Sequence, residues 1–178
     1  MKRILLLSFL TMYALGVMAQ SLWVKTVSEK SGVSFEMPGK PNLRNQDTDK
    51  ISSEVFSLKD AVNVFGVVAS DFSKMGLNFT YSDPSEYYKE MRDASLVSSD
   101  AVLISERSVA YQKMLGKEIT YAQLVGKHEY TYYKRFFFRG NFIYQFAIGG
   151  PSRMKNILLD KKNLYFNSIH FLDVQTKE

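Results

Sequence analysis

The sequence predicts an α+β domain in which an antiparallel sheet of about seven strands lies between two helices, a three-layer α/β/α sandwich. Three observations carry that prediction. Strand-like runs joined by short turns recur along the chain, and short connections favour antiparallel neighbours. Two stretches with helical apolar spacing, each opening on a helix-start signal, interrupt those runs. The run from Glu129 to Ile148, EYTYYKRFFFRGNFIYQFAI, is apolar on both faces, so both faces need a cover.

More than half of that run is Tyr, Phe or Ile, types suited to a pleated and buried surface. Gly140-Asn141 divides it as a two-residue hairpin turn, because both tolerate the positive φ such turns require. This loop length sets Arg139 opposite Phe142, Phe137 opposite Tyr144, and Tyr133 opposite Ile148. One face then carries Tyr133, Phe137, Phe142, Tyr144, Phe146 and Ile148, interrupted by Arg135 and Arg139. The other carries Tyr132, Phe136, Phe138, Ile143 and Ala147, with Lys134 and Gln145. Such a hairpin belongs at the centre of its sheet.

The first 19 residues read as a signal peptide. Lys2 and Arg3 form a charged start, Ile4 to Val17 an apolar stretch, and Val17-Met18-Ala19 a small-residue cleavage pattern between Ala19 and Gln20. The apolar stretch is short for a membrane span of about 20 residues, so export is favoured over an uncleaved anchor and no stable membrane insertion is expected after cleavage. Residues 20–178 then form a single domain of 159 residues, with the net charge lowered from +5 to +3. A chain of this size builds an ordinary core. It has no cysteine, so its stability rests on packing, and thiol chemistry and lipid attachment through a cysteine are excluded. Its Lys and Arg residues are dispersed, and no nucleic-acid surface is indicated.

The elements follow in order. Gln20 to Lys30, with Trp23, reads as a lead-in that pins the start of the domain to the core. Val33, Phe35 and Met37 alternate as a half-buried strand that Pro38-Gly39-Lys40-Pro41 ends, and Asn42 to Lys50 reads as a polar loop. Ile51 to Leu58 and Val62 to Phe72 form the next two strands, around a tight turn at Lys59-Asp60-Ala61, with Gly66 marking a bulge or close approach. Asp83-Pro84-Ser85-Glu86 caps a helix that runs to about Leu96. Ala101 to Ser108 and Lys117 to Val125 are strands, the latter bracketed by turns at Gly116-Lys117 and Gly126-Lys127. After the hairpin, Gly149-Gly150-Pro151-Ser152 starts a second helix, and Ser168 to Phe171 returns to the core.

The opening strand Gly32 to Pro41, the Pro-capped helix, Gly116-Lys117-Glu118, Gly140-Asn141-Phe142-Ile143-Tyr144 and the closing Phe166-Asn167-Ser168-Ile169-His170-Phe171 resemble the PsbP-like family, in its small exported bacterial members. The resemblance spans roughly residues 32–171 and implies an antiparallel sheet between helices in one PsbP-like domain. It also implies an accessory or binding role without a shared catalytic centre, and it carries over no set of functional residues.

The residues themselves indicate no catalytic set, metal or cofactor. His128 and His170 are the only histidines and show no HxH or HExxH spacing. No G-x-S-x-G elbow is present. Glu86 and Glu90 fit a solvated helix face, Asp47 and Asp49 lack the rest of a calcium loop, and Asn78-Phe79-Thr80 is a coincidental glycosylation match. Gly149 to Ser152 fits capping better than anion binding. The expectation is therefore a non-catalytic binding or accessory protein of the bacterial envelope, in the periplasm or secreted, whose partner is another envelope protein. The partner would meet Tyr130, Tyr132, Lys134, Arg135 and Arg139, which supply aromatic anchors and a cationic rim. The alternatives are a small hydrolase using Ser with His128 or His170, and a carrier holding an apolar small molecule between sheet and helix.

Overall fold

A computed structural model of the protein describes residues 23–97, 100–111 and 114–172. The leader and the Ala19–Gln20 junction lie outside these residues. Strands β1 (Val24–Ser28) and β2 (Val33–Met37) are followed by β3 (Asn42–Asp47), β4 (Ser52–Lys59) and β5 (Val64–Asp71). Helix α1 (Ser85–Val97) precedes β6 (Val102–Tyr111), β7 (Met114–Val125), β8 (His128–Arg139) and β9 (Phe142–Pro151). Helix α2 (Lys155–Asn167) and the short β10 (His170–Phe171) complete the chain.

Seven strands form one sheet in the order β3-β4-β5-β9-β8-β7-β6, every neighbouring pair antiparallel. The β8–β9 hairpin is central and has the expected register, with Arg139 opposite Phe142 and Tyr133 opposite Ile148. Gly126 and Gly140 take positive φ in the turns that start and end β8, at 63° and 53°. At the β4–β5 turn, Asp60 Oδ1 accepts the Val62 and Asn63 amides at 2.8 and 2.6 Å, and Lys161 Nζ reaches Asp60 Oδ2 at 2.6 Å.

Several expected boundaries are corrected. The strand at Val33–Met37 is not in the main sheet but pairs with β1 and β10 in a small three-stranded sheet. The main sheet instead gains β3 at an edge, where a polar loop was expected. All six residues of β3 are exposed, so no apolar alternation marks it. Gly116-Lys117 is not a turn. Gly116 lies within β7, where a Cβ would sit 2.5 Å from the Phe136 carbonyl oxygen and 2.6 Å from the Phe137 ring. Gly66 pairs in regular register, and the irregularity falls between Leu103 and Ser105. Gly149, Gly150 and Pro151 remain in β9, so α2 starts only after the 3₁₀ turn Ser152–Met154.

The two sheet faces bury different partners. Tyr133, Phe137, Tyr144, Phe146 and Ile148 pack with Val33, Phe35 and Met37 of β2, Leu158, Tyr165 and Phe166 of α2, and Phe171 of β10. Opposite them, Phe136, Ile119 and Tyr121 pack with Tyr88 and Met91 of α1, while Phe72, Phe79 and Ile143 form a neighbouring cluster. Trp23 joins the first cluster edge-on to Phe65, with ring centres 5.9 Å apart.

Candidate functional site

Strand alternation separates the five expected partner residues. Tyr130, Tyr132 and Lys134 share the α1 face of β8, and Arg135 and Arg139 lie on the α2 face. The two arginines have internal duties. Arg135 Nε donates to Glu118 Oε2 at 2.5 Å, and its guanidinium lies 4.4 Å from the Phe166 ring centre. Arg139 Nη1 donates to the Leu172 carbonyl at 2.6 Å. Lys134 sits on the correct face but beneath the helix, with Nζ donating to Ser95 Oγ at 2.8 Å, and burial lowers its pKa.

Tyr130 and Tyr132 are brought together at the open end of the hairpin, opposite Pro151 and Gly149. The Tyr132 ring stacks on Tyr121 at 5.2 Å and 12°, and it lies so close over Gly149 that a Cβ there would fall inside it. Burial pushes the Tyr121 hydroxyl up to about 12, and burial with Tyr130 nearby raises that of Tyr132, so both stay neutral hydrogen-bonding groups.

Two clefts adjoin at this end. One, of about 380 Å³, is lined by His128, Glu129, Tyr130, Pro151, Ser152 and Arg153. The second, of about 330 Å³, includes Lys59, Val64, Tyr130, Tyr132, Gly149, Pro151 and Arg153. Sharing Tyr130, Pro151 and Arg153, they form one groove with tyrosine walls and, at its rim, the exposed cations Lys59 and Arg153 beside the exposed side chains of His128 and Glu129. Lys59 ends β4, His128 starts β8 and Arg153 lies in the turn before α2. Only the fold gathers them, so no spacing in the chain shows them.

The groove offers contact chemistry. Ser152 Oγ, which shares a cleft with His128, is hydrogen-bonded to Thr131 Oγ1 at 2.8 Å. His170 Nδ1 pairs with the Tyr111 hydroxyl at 2.8 Å. Among the described residues, no three His, Cys, Asp or Glu side chains are grouped to hold a metal ion.

The sheet order and the two helices define a PsbP-like α+β fold. The chain is similar to cyanobacterial PsbP (CyanoP) from Synechocystis, with a TM-score of 0.59 and 12% identity over 86% of this chain and 95% of that one. A protein from Bacteroides thetaiotaomicron is similar at a TM-score of 0.51 and 15% identity, over 86% of this chain and 50% of that one. LpqN of Mycobacterium tuberculosis, described as involved in cell envelope biogenesis, has a TM-score of 0.47 and 9% identity over 76% of this chain and 86% of that one. No family model and no curated protein matches the chain. At these identities the likeness to the first two shows the fold alone.

Proposed function

We propose that this is an exported, non-catalytic binding or accessory protein of the bacterial envelope, whose groove at the Tyr130 end of the hairpin holds an envelope protein through a carboxylate-bearing segment. The single observation behind this reading is the groove that Tyr130, Pro151 and Arg153 share, with Tyr132 as a wall and Lys59 and His128 at the rim. Tyrosines give area at small entropic cost, and cations steer an acidic partner. Export rests on the pattern of residues 1–19, and no helix among the described residues is long and apolar enough to cross a membrane. The domain is read as residues 20–178, a three-layer sandwich with α1 over one face of the main sheet and α2 over the other, which the two separate core clusters support.

Affinity capture from envelope extracts tests the reading. Tyr130→Ala and Arg153→Glu should each weaken capture of the same partner about tenfold or more while the melting temperature stays unchanged. Capture should also weaken with added salt. Partner binding untouched by both substitutions removes the groove from the account. Ester, phosphate or glycoside turnover that disappears in His128→Ala or His170→Ala would favour the hydrolase instead.

A further inference from the structure

A separate cleft, of about 260 Å³, lies on the same sheet face at the opposite end of β8. Phe138 lines it and Tyr130 lines the groove, eight residues apart, so the two sites are separated by about 26 Å at the rise of an extended strand. Pro84 and the first turn of α1, with Ser85 and Tyr88, line one side, and Ser108, Leu115 and Lys117 come from β6 and β7. We propose that this cleft binds a small amphiphilic anion, a monocarboxylate with an unbranched apolar tail, the tail against Leu115, Phe138 and Tyr88 and the carboxylate on Lys117.

Two features converge on that class. Leu115 is a large apolar side chain left 75% exposed on the wall of a cleft that Pro84, Tyr88 and Phe138 also line, so an apolar tail removes surface that the fold leaves wet. Lys117 supplies the charge. Its Nζ stands 5.7 Å from the Tyr88 ring centre, its hydrogen bond is a long one of 3.3 Å to Ser108 Oγ, and it forms no ion pair with a carboxylate among the described residues. The neighbouring carboxylates are engaged: Arg92 Nη1 reaches Glu106 at 3.2 Å, and Asp83 Oδ1 accepts the Ser85 amide and hydroxyl at 3.0 and 2.7 Å. A neutral apolar ligand would use only the walls. A carboxylate also completes the lysine with a charge-assisted hydrogen bond.

Titration of the purified protein with octanoate, followed by amide and methyl chemical shifts, tests this. Saturable shifts are expected at Tyr88, Leu115 and Phe138, with no change at Tyr130 or Arg153, so the result does not depend on the groove. Lys117→Gln should weaken octanoate about tenfold. Leu115→Asn should weaken it comparably, and both variants should melt with the parent. Shifts that never saturate, or Lys117→Gln binding as tightly as the parent, would overturn the proposal. Octanol binding as tightly as octanoate would overturn it too, leaving a partner's neutral apolar side chain as the better occupant.

Discussion

Glu118 is 3% exposed on β7 and meets three cations: Arg107 Nη2 at 2.6 Å, Arg135 Nε at 2.5 Å and Lys162 Nζ at 3.5 Å. Burial by itself would raise its pKa; hydrogen bonds from Arg135 and Arg107, with the charges of Arg135 and Lys162, outweigh burial and hold it lowered. A carboxylate lowered in the fold stabilises above its unfolded value of about 4.3, and that contribution is lost as pH falls through the folded value. Below about pH 4.3 the native protein should therefore lose stability through this residue. Glu118→Leu should cost about 3–5 kcal/mol at neutral pH, because Arg135 and Lys162 remain partly or wholly buried without their anion. The variant should also show a flatter acid limb in urea unfolding measured across pH. A variant as stable as the parent, with the same acid limb, would show that the cluster is neutral to folding.

At the scale of elements, β8 and β9 are held by a pairing in which a missing side chain is the fitting part. Gly149 leaves room for the Tyr132 ring that stacks on Tyr121. Gly149→Ala should displace that ring and cost about 1–3 kcal/mol, the range for overpacking, with loss of the Tyr132–Tyr121 stack in near-ultraviolet circular dichroism. An unchanged spectrum and melting curve would show that the strand yields instead. The hairpin itself was legible in the sequence: its apolar alternation and Gly140-Asn141 fix register and both faces, and a buried element writes that pattern plainly. Strand β3 was not legible, since Asn42, Arg44, Asn45, Gln46 and Asp47 face water on an edge and only ladder hydrogen bonds define the strand. Gly116 and Gly149 looked like turn or helix-start residues because close approach by a ring on the neighbouring strand leaves no local mark. The site was half legible for the same reason: Tyr130 and Tyr132 lie in one aromatic run, whereas Lys59 and Arg153 join them only through β4, β9 and α2.

For the whole molecule, the contacts of Trp23 bear on the export expectation. Trp23 lies edge-on to Phe65, and β1 follows at once, pairing with β2 from Val24–Met37 to Ser28–Val33. Cleavage between Ala19 and Gln20 leaves Gln20, Ser21 and Leu22 ahead of that tryptophan, so processing there spares every packed residue of the first strand. Cleavage a few residues later would delete the Trp23 ring and begin to strip β1 from the small sheet that covers the α2 face. The expected exported species is therefore residues 20–178, folded without any disulfide because the chain has no cysteine. Intact-mass measurement of protein recovered from the periplasm or medium should give that mass. Its melting temperature should match that of protein made directly from Gln20, and a species starting at Lys25 should melt several degrees lower because the aromatic contact is gone. Recovery of a chain that retains Met1 would defeat the cleavage assignment, and equal melting of the Lys25 species would show that Trp23 does not anchor the domain.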